Sequence, residues 1–212
     1  MNDITSSLCS KVVLIGETGV GKTAIISRFI RDSFLDGQEP STMASYISKE
    51  ILIEQFNMNL KLDIWDTAGQ EKYRSLTKFF YKDAAIAILV YDVTNKSSFT
   101  ELSEYWTQQL MECGSENLII GIAGNKCDMV NEENVNETEV KELATKIGAT
   151  FQLTSAKTNI GIDTLFQKLG ERFLVLHNVE HNKDDDNAGN NRQRGTSKLV
   201  HNEKKKKKKC CD

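Results

Sequence analysis

The sequence predicts a single α/β domain, a mainly parallel sheet with helices on both faces, followed by a tail that does not fold. Three observations predict it. Six short apolar runs alternate with stretches of helical period, and strands that alternate with helices close into a parallel sheet covered on both sides. A glycine-rich turn, GETGVGKT from Gly16 to Thr23, joins the first of these runs to the first helix. Beyond His177 large apolar side chains almost vanish. The 212 residues leave room for one domain of roughly 150–180 residues and a tail.

The elements follow in chain order. Residues 1–9, MNDITSSLC, are polar and form a short N-terminal extension without the pattern of a signal peptide. KVVLIG at 11–16 is the first strand and TAIISRFI the first helix. Segments 45–54 and 58–66, with NMN between them, read as an antiparallel hairpin at one sheet edge. AIAILVYD (85–92), LIIGIAGN (118–125) and TFQLTS (150–155) supply the remaining strands. Phe99, Leu102, Trp106 and Leu110 mark one helix by their spacing; Val140, Leu143, Ala144 and Ile147 mark a second. Ile162, Leu165, Phe166, Leu169 and Phe173 mark a third. The domain therefore spans 10–177. Residues 178–212 form a hypervariable tail, because HNVEHNKDDDNAGNNRQRGTSK cannot bury enough surface to offset its chain entropy.

Charge and cysteine content exclude several classes. The net charge is −3 even though Lys204 to Lys209 form a six-lysine run, so the domain itself is acidic. An acidic body with a basic tip offers no nucleic-acid groove. Five cysteines without metal-ligand spacing argue against a disulfide scaffold or a zinc site, and the expected compartment is reducing and cytosolic. No apolar run approaches the ~18 residues that span a bilayer.

The opening turn has the spacing Gly16-x4-Gly21-Lys22-Thr23, between a strand and a helix. Glycines let backbone N–H groups wrap a phosphate chain, and the helix N-terminus adds partial positive charge. The phosphate-binding set is Gly16, Thr18, Gly19, Val20, Gly21, Lys22, Thr23 and Ala24. Lys22 would reach the β- and γ-phosphates and Thr23 would ligate Mg²⁺. WDTAGQE at 65–71 ends a strand with Asp66, placed to meet the metal through water. Gly69 offers an N–H to a γ-phosphate, and the Gln70 amide can orient an attacking water. In NKCD at 125–128, Asp128 can accept the N1–H and 2-amino hydrogens of guanine, a donor pair adenine lacks. Asn125 and Lys126 would brace that loop, the Lys stem lying over the ring. In TSAK at 154–157, beside Ser155, the Ala156 N–H can donate to the guanine O6 while Lys157 flanks the base. All these stretches sit at strand ends, where open α/β sheets bind ligands.

Over about residues 10–177 these motifs resemble the Ras-like small GTPases, and KLDIW, EKYRSLT, FFYKDAA and LVYDVTNKSSF resemble the Rab branch. The resemblance implies a P-loop NTPase fold: a six-stranded, mostly parallel sheet with one antiparallel edge strand. It implies binding of GTP and GDP with Mg²⁺, slow GTP hydrolysis, and two nucleotide-dependent segments near 35–46 and 68–80. Phe34 falls where the family sets an aromatic against the guanine; a core Phe is the alternative. Thr18 stands at a position that is Gly in Ras. Rabs usually carry Thr-Ile-Gly in the first switch, whereas this chain reads EPSTMASY. Ungapped counting puts Ser41 at the switch Mg²⁺ position and Tyr46 at the family's aromatic; a one-residue shift puts Thr42 there. Trp65, Phe79 and Tyr81 would present an effector surface, with core packing the competing reading for Trp65. Arg28, Arg31 and Arg74 read as surface or structural residues, so no arginine acts as an internal finger. Intrinsic turnover is then expected on the order of 10⁻⁴–10⁻³ s⁻¹ until an activating protein binds.

KKKKKKCCD pairs a polybasic run with two near-terminal thiols. By resemblance to Rab tails, Cys210 and Cys211 both receive geranylgeranyl groups through a Rab escort protein, and two chains suffice for stable anchoring. A nuclear localisation signal is the competing reading of the lysines. The further partners implied are an exchange factor, a GTPase-activating protein, a GDP-dissociation inhibitor and GTP-state effectors. The first switch and TSAKTNIGIDTLF look most like early-endosomal members. Two other functions compete: a nucleotide-bound scaffold without turnover, against which Gln70 stands, and a P-loop ATPase or nucleoside kinase, against which Asp128 stands.

Overall fold

Val12, Val13, Leu14 and Ile15 are consecutive and have no solvent exposure, a pattern that only a strand covered on both faces can hold. The structure, a computed structural model, describes residues 8–37, 45–67 and 82–177. The chain divides into two units, Met1–Asn182 and Lys183–Asp212, and all described residues belong to the first. Its strands are β1 (Leu8–Ile15), β2 (Ser45–Ile53), β3 (Met58–Asp66), β4 (Ile86–Asp92), β5 (Ile119–Asn125) and β6 (Thr150–Leu153). They form one six-stranded sheet in the order β2-β3-β1-β4-β5-β6. Every neighbouring pair is parallel except β2 with β3. This is the six-stranded, mostly parallel sheet with one antiparallel edge strand that the resemblance implies.

Alternation along β1 divides the core. Val12 and Leu14 join one cluster with Ile25 and Phe29 of α1 (Lys22–Arg31) and Leu165, Phe166, Leu169 and Phe173 of α5 (Ile162–Leu176). Val13 and Ile15 join the other, with Phe99, Leu102, Trp106, Leu110 and Val140. The latter come from α2 (Lys96–Glu101), a five-residue π segment (Leu102–Trp106), α3 (Thr107–Cys113) and α4 (Glu137–Ile147). Asn95 and Asn136 cap α2 and α4 by accepting first-turn N–H groups, which satisfies donors the helix leaves orphaned. In the first cluster Phe29 stacks on Phe166 with centroids 3.7 Å apart.

Three boundaries differ from those the sequence suggests. β1 starts at Leu8, inside the supposed extension, because residues 8–10 pair with 60–62 of β3. The β2–β3 connection is a 3₁₀ turn at Glu54–Phe56 closed by Asn57 in a left-handed conformation, φ 48°, and not NMN. Phe56 is fully buried, so the turn itself carries a core side chain. The helix carrying Phe99 to Leu110 is one run interrupted by the π segment, where the Thr107 hydroxyl donates to the Leu102 carbonyl at 2.9 Å.

The parallel register sets strand C-termini side by side. Leu14 lies opposite Asp66, and Asp92 opposite Asn125. The loops leaving β1, β3, β4 and β5 therefore meet along one edge of the sheet.

Candidate nucleotide-binding site

The turn after β1 depends on two glycines. At Gly16, φ 153°, a Cβ would lie 2.2 Å from the Val90 carbonyl oxygen of β4. At Gly21, φ 97°, it would lie 2.2 Å from Asn125 Nδ2. Both are tighter than any side chain tolerates. Thr18 and Gly19 are exposed and Val20 is anchored in the core. Gly21 begins α1 without a capping side chain, so the first-turn N–H groups, which include Ala24, carry the helix's partial positive charge uncapped.

Lys22 folds back over this turn. Its Nζ donates to the Gly16 carbonyl at 2.9 Å and to the Glu17 carbonyl at 2.8 Å. It is only 5% exposed, and burial lowers its pKa to about 8 against the opposing charges of Asp66 and Glu17. Beside it the Thr23 hydroxyl donates to Asp66 Oδ2 at 2.6 Å. Burial raises the Asp66 pKa, while that hydrogen bond and the Lys22 charge hold it down. Among the described residues, Asp66 Oδ1 is buried with no hydrogen-bond partner. A hydroxyl and an orphaned carboxylate oxygen next to a phosphate cradle fit a hydrated Mg²⁺.

The base-binding side is built from β5 and β6. Asn125, 2% exposed, donates from Nδ2 to the Val20 carbonyl at 2.9 Å and accepts from the Thr154 hydroxyl at 3.3 Å. One side chain thus joins the phosphate turn, NKCD and TSAK. Lys126 adopts a left-handed φ of 68°, and its Nζ pairs with Asp92 Oδ2 at 2.5 Å. The fully buried Ser155 donates from Oγ to Asp128 Oδ1 at 2.6 Å. Ala156 is buried and Lys157 exposed. Phe34 is half-buried against the first core cluster. Trp65, also half-buried, lies on the outer sheet face 5.2 Å from the exposed Tyr46 ring.

Ser41, Thr42, Gly69, Gln70, Arg74, Phe79, Tyr81, Cys210 and Cys211 lie outside the described residues. Three contributors were given no role in the site by the sequence. Asp92 orients Lys126, and its signal was an acid at a strand end, as at Asp66. Thr154 holds Asn125. Arg28 donates to the Ala156 and Lys157 carbonyls at 2.8 and 3.1 Å, across a distance in sequence that no local pattern reveals.

Comparison with known proteins agrees with this geometry. The Ras family model matches residues 11–174. The chain is 41% identical over 165 residues to the Ras-related protein Rab5A of Oryza sativa subsp. japonica, covering 78% of this chain and 80% of that one. It is 42% identical over 163 residues to Homo sapiens Ras-related protein Rab-22A, covering 76% and 82%. Homo sapiens Ras-related protein Rab-31 is 43% identical over 162 residues, covering 76% and 82%. With the phosphate turn, the Asp66 carboxylate and the NKCD loop gathered at one sheet edge, the chain belongs to the Ras family, on its Rab branch, as a small GTPase that binds guanine nucleotides and switches vesicle traffic.

Proposed function

We propose that GTP and GDP lie along this edge, phosphates over Gly16–Ala24 and base between Asp128 and the 155–157 loop. The observation that carries the reading is the Asn125–Val20 hydrogen bond of 2.9 Å, which ties the base loop to the phosphate turn so that one ligand spans both. Lys22 and the first-turn N–H groups would hold the β- and γ-phosphates. Thr23, Asp66 and a first-switch hydroxyl, Ser41 or Thr42, would hold Mg²⁺. When bound, that ion would neutralise charge on the transferring phosphoryl group. Gln70 would orient the attacking water and Gly69 would sense the γ-phosphate, so that hydrolysis releases both switch segments. Phe34 would flank the base, and Lys126, held by Asp92, would lie along it.

In the cell the GTP state would recruit effectors through the Tyr46–Trp65 face together with Phe79 and Tyr81. An exchange factor, an activating protein and a GDP-dissociation inhibitor would drive the cycle. Cys210 and Cys211, geranylgeranylated with the help of an escort protein, would hold the chain on the cytosolic face of intracellular membranes. The early endosome is the compartment its first switch and TSAKTNIGIDTLF resemble. The test is Asp128→Asn, which should move nucleotide preference from guanine toward xanthine. Retained GTP affinity in that variant contradicts the base assignment.

A further inference from the structure

Arg28 stands in the last turn of α1 with its side chain 15% exposed, and its guanidinium makes four hydrogen bonds in three directions. Nε donates to the Ala156 carbonyl at 2.8 Å and Nη2 to the Lys157 carbonyl at 3.1 Å. Nη1 donates to the Asp32 carbonyl and to its Oδ1, both at 2.9 Å. From the far side Asn159 Nδ2 donates to the same Asp32 oxygen at 3.4 Å. The fork thus joins the end of α1, the chain leaving it toward Phe34, and the 155–157 loop.

The peptide plane explains what this grip does. A trans peptide points its carbonyl and the next N–H in opposite directions, so fixing the Ala156 oxygen fixes where the Lys157 N–H points. Ser155 is held just before it: its N–H donates to the Ile160 carbonyl at 2.9 Å and its hydroxyl to Asp128 at 2.6 Å. Between these two anchors the loop's N–H groups have little freedom. Asp128 is fastened through Ser155, and among the described residues none of Arg28's hydrogen bonds reaches it.

We propose that Arg28 is a positioning residue for base recognition. Its fork holds the loop so that the loop's N–H groups meet the exocyclic oxygen of the guanine, and it couples that readout to the helix that begins at Lys22 and Thr23. The inference rests on the guanine assignment above and adds a division of labour. Arg28 supports recognition of the base oxygen, and Asp128 recognises the N1–H and 2-amino edge independently of Arg28.

Three diphosphates separate these roles on the full-length, nucleotide-stripped chain, kept reduced: GDP, thioguanosine diphosphate and inosine diphosphate. The second replaces the exocyclic oxygen with a weaker sulfur acceptor; the third lacks only the 2-amino group. Arg28→Met should weaken GDP by about tenfold, the scale of a charge-assisted hydrogen bond. Inosine diphosphate should weaken equally, and thioguanosine diphosphate distinctly less. Arg28→Lys, which keeps charge and stem but not the fork, should show the same order with smaller losses, and it decides the matter if Arg28→Met does not fold. Unchanged GDP affinity, or equal losses for all three ligands, overturns the proposal, since a merely structural arginine would not distinguish them. A wild-type chain that takes ADP as readily as GDP overturns instead the guanine reading beneath it.

Discussion

Lys22 shows how a single side chain ties the site to pH. Burial among the Gly16 and Glu17 carbonyls leaves its pKa at about 8, and a bound polyphosphate would raise it by adding negative charge beside it. Below pH 8 the ammonium is already formed and affinity should be flat. Above it, binding must draw a proton from solvent, so affinity should fall by up to about tenfold per pH unit. Titrating GDP affinity from pH 7 to 9 against Lys22→Arg, which stays charged, checks this. A parallel fall in both proteins would mean that another group titrates. Asp66, buried beside it, has its pKa raised by burial, and the Thr23 hydrogen bond and the Lys22 charge oppose that rise.

At the scale of elements, legibility followed burial. β1, β4 and β5 are covered on both faces and read as unbroken apolar runs, and α5 shows its buried stripe at helical spacing. Motifs in which adjacent residues act together, such as GETGVGKT and NKCD, were equally plain. The turn at Glu54–Phe56 was hidden because Phe56 is a core residue in a loop. Arg28 was hidden because the carbonyls it holds are 128 and 129 residues away. The same burial gives a stability prediction for α5. Phe166 is 2% exposed and stacked on Phe29. Phe166→Ala should therefore cost about 3–5 kcal/mol in denaturant unfolding at fixed nucleotide concentration. A loss under about 1 kcal/mol would mean that the interface between α1 and α5 closes around the gap.

For the whole molecule, the sheet gathers along one edge pieces spread between Gly16 and Lys157, and the role proposed for the tail is to hold the chain on a membrane. Among the described residues no helix is long and apolar enough to cross a bilayer; in the proposed reading the paired thiols carry the attachment. Replacing both Cys210 and Cys211 with Ser should move the protein from the membrane to the soluble fraction of cells, since one lipid or a lysine run alone binds marginally. Unchanged partitioning would show that some other feature holds it there.

The central claim is that one edge reads a guanine base and a phosphate chain together. Calorimetry of the stripped chain with Mg²⁺ tests it most directly. GDP should bind tighter than ADP by about 10⁴-fold, because Asp128 and the 155–157 loop leave buried polar groups unpaired against adenine. Equal affinities for the two diphosphates would contradict it.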